Sequence, residues 1–186
     1  MDYLTKWPEV FATSDQTSLT IAELLVKNVI SCHGVPAELL SDCGTVFSSK
    51  LMINVYQLLG IKKANTTAYH PQTDGLHRTL TDMLAKRVQR SRMDWNEQLP
   101  YVLFAYRSSI QISTQESPFY LLYGRDSQLP VNEVLTTPDD QCTIDLRDYK
   151  TEFCYRFTEA WELAQHKIQK SQKSQKEYYD QRATPL

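Results

Sequence analysis

"GVPAELLSDCGTVFSSKLMINVYQLLGIKKANTTAY" runs from Gly34 to Tyr69, and its reading decides the fold. "VPAELLSD" is a short apolar run that delivers Asp42 at its end, as a strand would. Ser48 or Ser49 can then cap a helix whose apolar members are Leu51, Val55, Leu58 and Leu59. Gly60 stops that helix where a left-handed backbone is cheapest. "IKKANTTAY" returns the chain as a second strand. Strands alternating with helices indicate an α/β domain.

The pattern extends both ways. Upstream, residues 3–12 read as extended, with Val10 and Phe11 as apolar members. Thr17 or Ser18 caps a helix along which Ile21, Leu24, Leu25, Val29 and Cys32 recur, and Gly34 ends it. Cys32 reads as core and His33 as partly exposed. Downstream, Pro71 and Gly75 mark a loop. Leu76, Leu80, Leu84 and Val88 then line one side of a helix from about Asp74 to Arg92. Asp94 and Glu97 suit a capping box for a helix through "YVLFAYRSS", with Pro100 bending or delaying its first turn. "SPFYLLYGR" is a compact apolar segment ending in a turn. The expected organisation is a core over 1–126, a linker over 127–143 and a long amphipathic helix over 144–186. Leu146, Tyr149, Phe153, Phe157, Ala160, Leu163 and Ile168 mark the helix face, and its tail is a solvated polar run.

The chain has 186 residues, 41% of them hydrophobic, which supports a real core. Its net charge of −2 is not that of a strongly basic nucleic-acid binder. No apolar run is long enough to span a bilayer, and no signal-peptide pattern opens the chain. Cys32, Cys43, Cys142 and Cys154 form no CxxC pair, so reduced thiols in an intracellular protein, nuclear or cytoplasmic, are expected. Asp2 and Asp42 both stand where strand ends are expected. Two carboxylates so placed can share a divalent cation, because hard cations prefer oxygen ligands.

"DYLTKWPEVF", "HGVPAELLSDCGTVFSSKL", "LLGIKKANTTAYHPQTDGL" and "ESPFYLLYGRDSQLPV" together resemble the integrase of gypsy-type long-terminal-repeat retrotransposons, relatives of retroviral integrases. The resemblance covers nearly the whole chain, with its motifs in order. It implies a ribonuclease-H-like core with a mixed sheet and flanking helices. It also implies three acids that hold two magnesium ions, or manganese, to cut and join DNA. The first acid matches Asp2 and the second Asp42. The third is a glutamate early in the helix after "HPQTDGL", where the family reads Val-Glu-Arg-Phe before a polar residue and "RTL". This chain passes straight from Leu76 to "HRTL". Counted from Asp42 at the family's spacing, the position falls on Arg78, which cannot accept a metal bond. Asp74 and Asp82 are the nearest acids, and neither is expected to close the site.

Two metals about 3.5–4 Å apart stabilise the attacking and leaving oxygens of an in-line displacement. Each unit-charge contact near 4 Å is worth roughly 4 kcal/mol at an effective dielectric of 20. Losing one carboxylate therefore weakens metal binding severely, and catalysis is expected to be lost. The resemblance also places an apolar strand before Asp2, whereas Met1 directly precedes it here, so a truncated first strand is expected. The paired His and Cys of an amino-terminal zinc domain are not matched by Cys32-His33. The chain reads as a core fragment plus the helix that would lead to a next domain.

Lys62, Lys63, His70 and Gln72 are expected to flank the site and approach DNA phosphates, with Arg78 beside them. Lys86, Arg87, Arg90 and Arg92 lie along the following helix and offer either a DNA track or a solvated face. Tyr101, Phe104, Tyr106, Phe119, Tyr120 and Tyr123 read as core aromatics, and Trp7 as a packing residue. The lysines at 167, 170, 173 and 176 suit simple solvation or nucleic-acid contact. The expectation is a DNA-integration protein by descent, an integrase as a homo-oligomer on DNA, with neither membrane nor small-molecule partner. The alternatives are a non-catalytic nucleic-acid-binding or protein-interaction module, and a decayed element without function.

Overall fold

The computed structural model describes residues 1–66, 71–88, 95–128 and 146–181, with only the backbone described at 71–74, 146–147 and 179. The chain divides into two compact units, Met1–Pro8 with Pro100–Leu186, and Glu9–Leu99.

The Glu9–Leu99 unit is built on the strand–helix–strand segment. Strand β1, Glu38–Ser41, pairs in parallel with β2, Lys62–Asn65, and Ser41 stands opposite Asn65. Helix α3, Lys50–Leu59, makes the crossover that parallel strands require. Ser49 is its cap, accepting the Met52 N–H, and Gly60 closes it in the left-handed region. The buried residues of α3 are Met52 and Tyr56. Val55 and Leu59 pack against that core as expected. Leu51 and Leu58 do not, and Leu58 is 86% exposed. The buried face is thus rotated toward Met52, whose flexible thioether fills the space.

Thr17 caps α1, Ser18–Leu24, which continues as a π-helical segment, Leu25–Ile30, and a final turn α2, Ser31–His33. The π segment corrects the expected register. A π turn carries one residue more than an α turn. After Leu25, the residue that meets the core of Ala22, Met52, Tyr56 and Ile61 is therefore Ile30. Cys32, expected in the core, is turned outward and exposed. His33 is paired with Glu9, Nε2 to Oε1, at 3.0 Å.

Helix α4, Pro71–Arg87, begins earlier than expected. The loop expected at Pro71–Gly75 is helical, because proline at a first helical position loses no bond the helix would have made. Leu76, Leu80, Leu84 and Val88 are half-buried, as their spacing predicts. Helix α5, Trp95–Ser108, carries Pro100 within it and spans the division between the units. Asp94, and with it the capping box, lies outside the described residues, as do Arg92 and most of the expected linker.

In the other unit, α6, Pro118–Tyr123, is capped by Ser117 and ends at Gly124. The long helix α7 runs Leu146–Asp180. Leu121 of α6 is fully buried against Ala160 and Ala164 of α7, with Leu4 and Tyr120 around them. Trp161 Nε1 donates to the Leu121 carbonyl at 2.8 Å. Gly124 meets α7 directly, for a Cβ there would lie 2.5 Å from Phe153 Cε2. Leu163 is off this face and exposed. Of the expected core aromatics, Tyr106 is buried, but Tyr101, Phe104 and Tyr123 are exposed. Leu99, Val102, Leu103 and Tyr106 take the buried stripe of α5, which leaves Tyr101 and Phe104 on its other side.

Residues 3–12 form no strand. Tyr3–Thr5 is a turn, and Lys6 takes a positive φ of 59°, which extended pairing does not allow. Among the described residues the sheet has two strands, both parallel, where a mixed sheet with a partial first strand was expected. The described cysteines Cys32, Cys43 and Cys154 are free thiols. No helix among the described residues is long and apolar enough to cross a membrane.

Candidate active site

Asp42 follows β1 at the carboxyl end of the parallel pair, the edge where α/β sheets place ligand sites. The Thr66 N–H donates to the Ser41 carbonyl at 2.8 Å, which holds the two strand ends together beneath it. Asp42 Oδ1 accepts the Gly44 N–H at 3.0 Å. A Cβ at position 44 would stand 2.9 Å from the same oxygen, so a glycine there lets the Asp42 carboxylate keep its place in this Asx turn. Cys43 sits between them, its thiol 3.9 Å from the Thr66 carbonyl.

Asp2 stands at the head of a tight turn. Its Oδ1 accepts the Thr5 N–H at 2.7 Å and the Thr5 hydroxyl at 2.6 Å. Its own N–H donates to the Trp7 carbonyl at 2.9 Å. Trp7 is buried under the Arg107 guanidinium, 4.1 Å from the ring centre, and meets Tyr123 edge-on at 5.5 Å. Arg107 Nη2 also donates to the Pro8 carbonyl at 2.7 Å. Burial lowers the Lys6 ammonium below the ordinary lysine range, and the Asp2 carboxylate opposes that shift.

Asp2 and Asp42 belong to different units. Each supplies one carboxylate with one oxygen already committed to its own turn. No group of three or more His, Cys, Asp or Glu side chains converges among the described residues. That donor set does not fit a pair of divalent ions, which needs several anionic ligands. Where a third acid is expected, α4 presents His77 and Arg78, both exposed. Asp82 is exposed further along α4, and the Asp74 side chain lies outside the described residues.

The expected phosphate-binding residues separate. Lys62 is at the amino end of β2, opposite Glu38 and ion-paired with it at 3.6 Å. Asn65, three residues on, is the position opposite Ser41, so Lys62 lies about 10 Å from the Asp42 end at roughly 3.3 Å per residue. Lys63 donates to the Phe47 carbonyl at 2.9 Å and lies over the Tyr56 ring. Lys86 and Arg87 occupy the last turn of α4, where cations complement the helix dipole. Arg87 Nε also donates to Gln98 Oε1 at 2.8 Å. His70, Arg90 and the Gln72 side chain lie outside the described residues. Sequence reading missed Thr5 and Gly44, the partners that orient the two acids. An aspartate two residues before a glycine is the signal that could have found Gly44.

No family model matches the chain. It is 26% identical over 182 residues to the retrovirus-related Pol polyprotein from transposon 412 of Drosophila melanogaster, covering 95% of this chain and 15% of that one. It is 30% identical over 129 residues to the Gag-Pol polyprotein of Feline leukemia virus, covering 67% of this chain and 8% of that one. The chain thus spans a small part of these relatives. Its fold is similar to a chain in the simian T-cell lymphotropic virus intasome bound to PP2A regulatory subunit B56 gamma. There the TM-score is 0.53 at 16% identity, over 72% of this chain and 47% of that one.

Proposed function

The chain is an integrase-core relative of retrotransposon and retroviral Pol polyproteins, and from that premise we propose that it is a DNA-integration protein by descent that has lost strand-transfer catalysis. One observation carries the reading. Asp42 is held at the carboxyl end of β1 by its turn with Gly44, while α4 offers exposed His77 and Arg78 in place of a carboxylate. Asp2 and Asp42 are the remaining acids of the ancestral site, and two such donors suit at most one weakly held magnesium or manganese ion. When bound, such an ion would polarise a phosphoryl oxygen. The chain's own contribution is to aim the two carboxylates through Thr5 and Gly44. DNA is the partner, contacted by Lys63, Arg78, Lys86 and Arg87, with Lys62, His70, Gln72 and Arg90 as further candidates. The chain acts as a homo-oligomer, with a core over 1–126 joined through 127–143 to the long helix.

Strand transfer on a short DNA end with magnesium or manganese tests this. The chain as it stands is expected to be inactive, and insertion of Val-Glu-Arg-Phe between Leu76 and His77 is expected to raise activity. Activity in the unmodified chain that is abolished by Asp42→Asn would overturn the reading. A non-catalytic binding module derived from a retrotransposon is the second reading. The partners that already occupy one oxygen of each acid favour it, because they give both residues a structural role.

A further inference from the structure

The turn that carries Asp2 is not one the chain would hold by itself. Lys6 takes a φ of 59°, in the left-handed region that costs a residue with a Cβ free energy. Its ammonium is also partly withdrawn from water, which lowers it below the ordinary lysine range. A short segment with two such costs keeps one conformation only where its surroundings fix both flanks.

The downstream flank is anchored on α5 and α6. Trp7 is buried, with Arg107 of α5 over its ring and Phe119 and Tyr123 of α6 beside it. Pro8 is fully buried, and its carbonyl accepts Arg107 Nη2. The upstream flank, which includes Asp2 itself, rests on α7. Leu4 packs against the cluster of Leu121, Ala160 and Ala164. Gln172 Nε2 donates to the Tyr3 hydroxyl. Ala160, Ala164, Ile168 and Gln172 follow one another at four-residue steps, so these contacts share one side of the helix. Side-chain size along α7 matches its neighbours. Phe153 and Phe157 stand against Gly124, where α6 ends, and the two α7 positions in the Leu121 cluster are alanines. Ala164 is fully buried, so a longer side chain there must displace a neighbour.

We infer that α7 aims the first acid. Ala164 and Gln172 are positioning residues that act on Asp2 through Leu4 and Tyr3. This rests on the reading of Asp2 as the first acid of the ancestral site, and it makes the long helix part of the framework of that site. Displacing Leu4 frees the residues before Lys6, and the Thr5 N–H and hydroxyl then leave Asp2 Oδ1.

The test follows two backbone amides of the full chain by hydrogen exchange and NMR. The Thr5 N–H reports the Asp2 turn, and the Gly44 N–H, which donates to Asp42, reports the other unit. Ala164→Leu and Leu4→Ala should each speed exchange at Thr5 by about tenfold and leave Gly44 unchanged, because the opening is local. The Asp2 carboxyl carbon resonance should move in both variants while that of Asp42 stays. Gln172→Ala should act in the same direction and less strongly. Leu4→Met, which conserves volume, should keep the wild-type signals. Leu4→Ala opens space rather than filling it, and it decides the matter where Ala164→Leu does not fold. Wild-type exchange at Thr5 in Leu4→Ala would overturn the inference. Equal acceleration at Thr5 and Gly44 would overturn it too, because it marks a loss of global stability. Neither signal depends on catalysis. Strand transfer that survives Asp2→Asn, in the chain carrying the Val-Glu-Arg-Phe insertion, would overturn Asp2 as the first acid and leave its anchoring on α7 standing.

Discussion

Asp42 Oδ1 accepts the Gly44 N–H at 3.0 Å, and a methyl group on Gly44 would occupy the space of that same oxygen. The obstacle is the end of a flexible side chain, so Gly44→Ala is expected to displace the carboxylate and leave the fold almost as stable. Urea denaturation should show a loss below about 1 kcal/mol, whereas Asp42→Ala, which removes the acceptor, should lose about 1 kcal/mol. An unmoved Asp42 side chain in a structure of Gly44→Ala would contradict this.

Gly124 is the opposite case. Its φ is +68°, and an added Cβ would enter the Phe153 ring. A packed ring against a helix cannot swing away as a carboxylate does. Gly124→Ala is expected to destabilise the chain by about 1–3 kcal/mol from overpacking alone. Equal stability of Gly44→Ala and Gly124→Ala in urea would show that the contact between α6 and α7 is looser than described.

Leu121 is the hub of that contact, fully buried and bridged through its carbonyl to Trp161. Leu121→Ala should lose about 2–5 kcal/mol. Trp161→Phe keeps one aromatic ring but removes the N–H donor and the five-membered ring that carries it, and should lose about 1–3 kcal/mol from the unpaired carbonyl if that stays dry. Thermal or urea unfolding of the two variants checks both losses.

Asp15 is held below the ordinary carboxylate range by the Thr20 hydroxyl, at 2.6 Å, and by the Thr17 N–H. A lowered folded pKa contributes stability that is present above the unfolded value and lost as pH falls through the folded one. Thr20→Val should therefore raise the Asp15 midpoint in an NMR carboxyl titration and shrink the acid-side loss of stability. An unchanged midpoint would mean that Thr20 is not the main cause.

Local signals made much of this fold legible. Ser49, Gly60 and the apolar spacing between them were enough to place β1, α3 and β2, because caps and left-handed glycines act over a few residues. Three failures have separate physical causes. The π segment shifts the buried position to Ile30, and a search at α-helical spacing cannot register that shift. Pro71 reads as a breaker but opens α4, since proline has both roles depending on position. Ala164, fully buried, is displaced in the reading by Leu163, because after Ala160 both a three-residue and a four-residue step suit a helix face and the larger apolar side chain stands at the wrong one. At the candidate site the acids were legible by type and by resemblance. Thr5 was not, because its work is to hold Asp2 through a turn rather than to touch a ligand.

The π segment at Leu25–Ile30 means that this stretch holds one residue in excess of what a uniform helix would contain. Removing a single residue there would let the winding relax to the common pitch while both flanks keep their places. Elsewhere in the same run, the same excision would swing everything downstream by about 100°. The helix thus carries a built-in slack point, at which the gene could lose a codon with little harm to the fold.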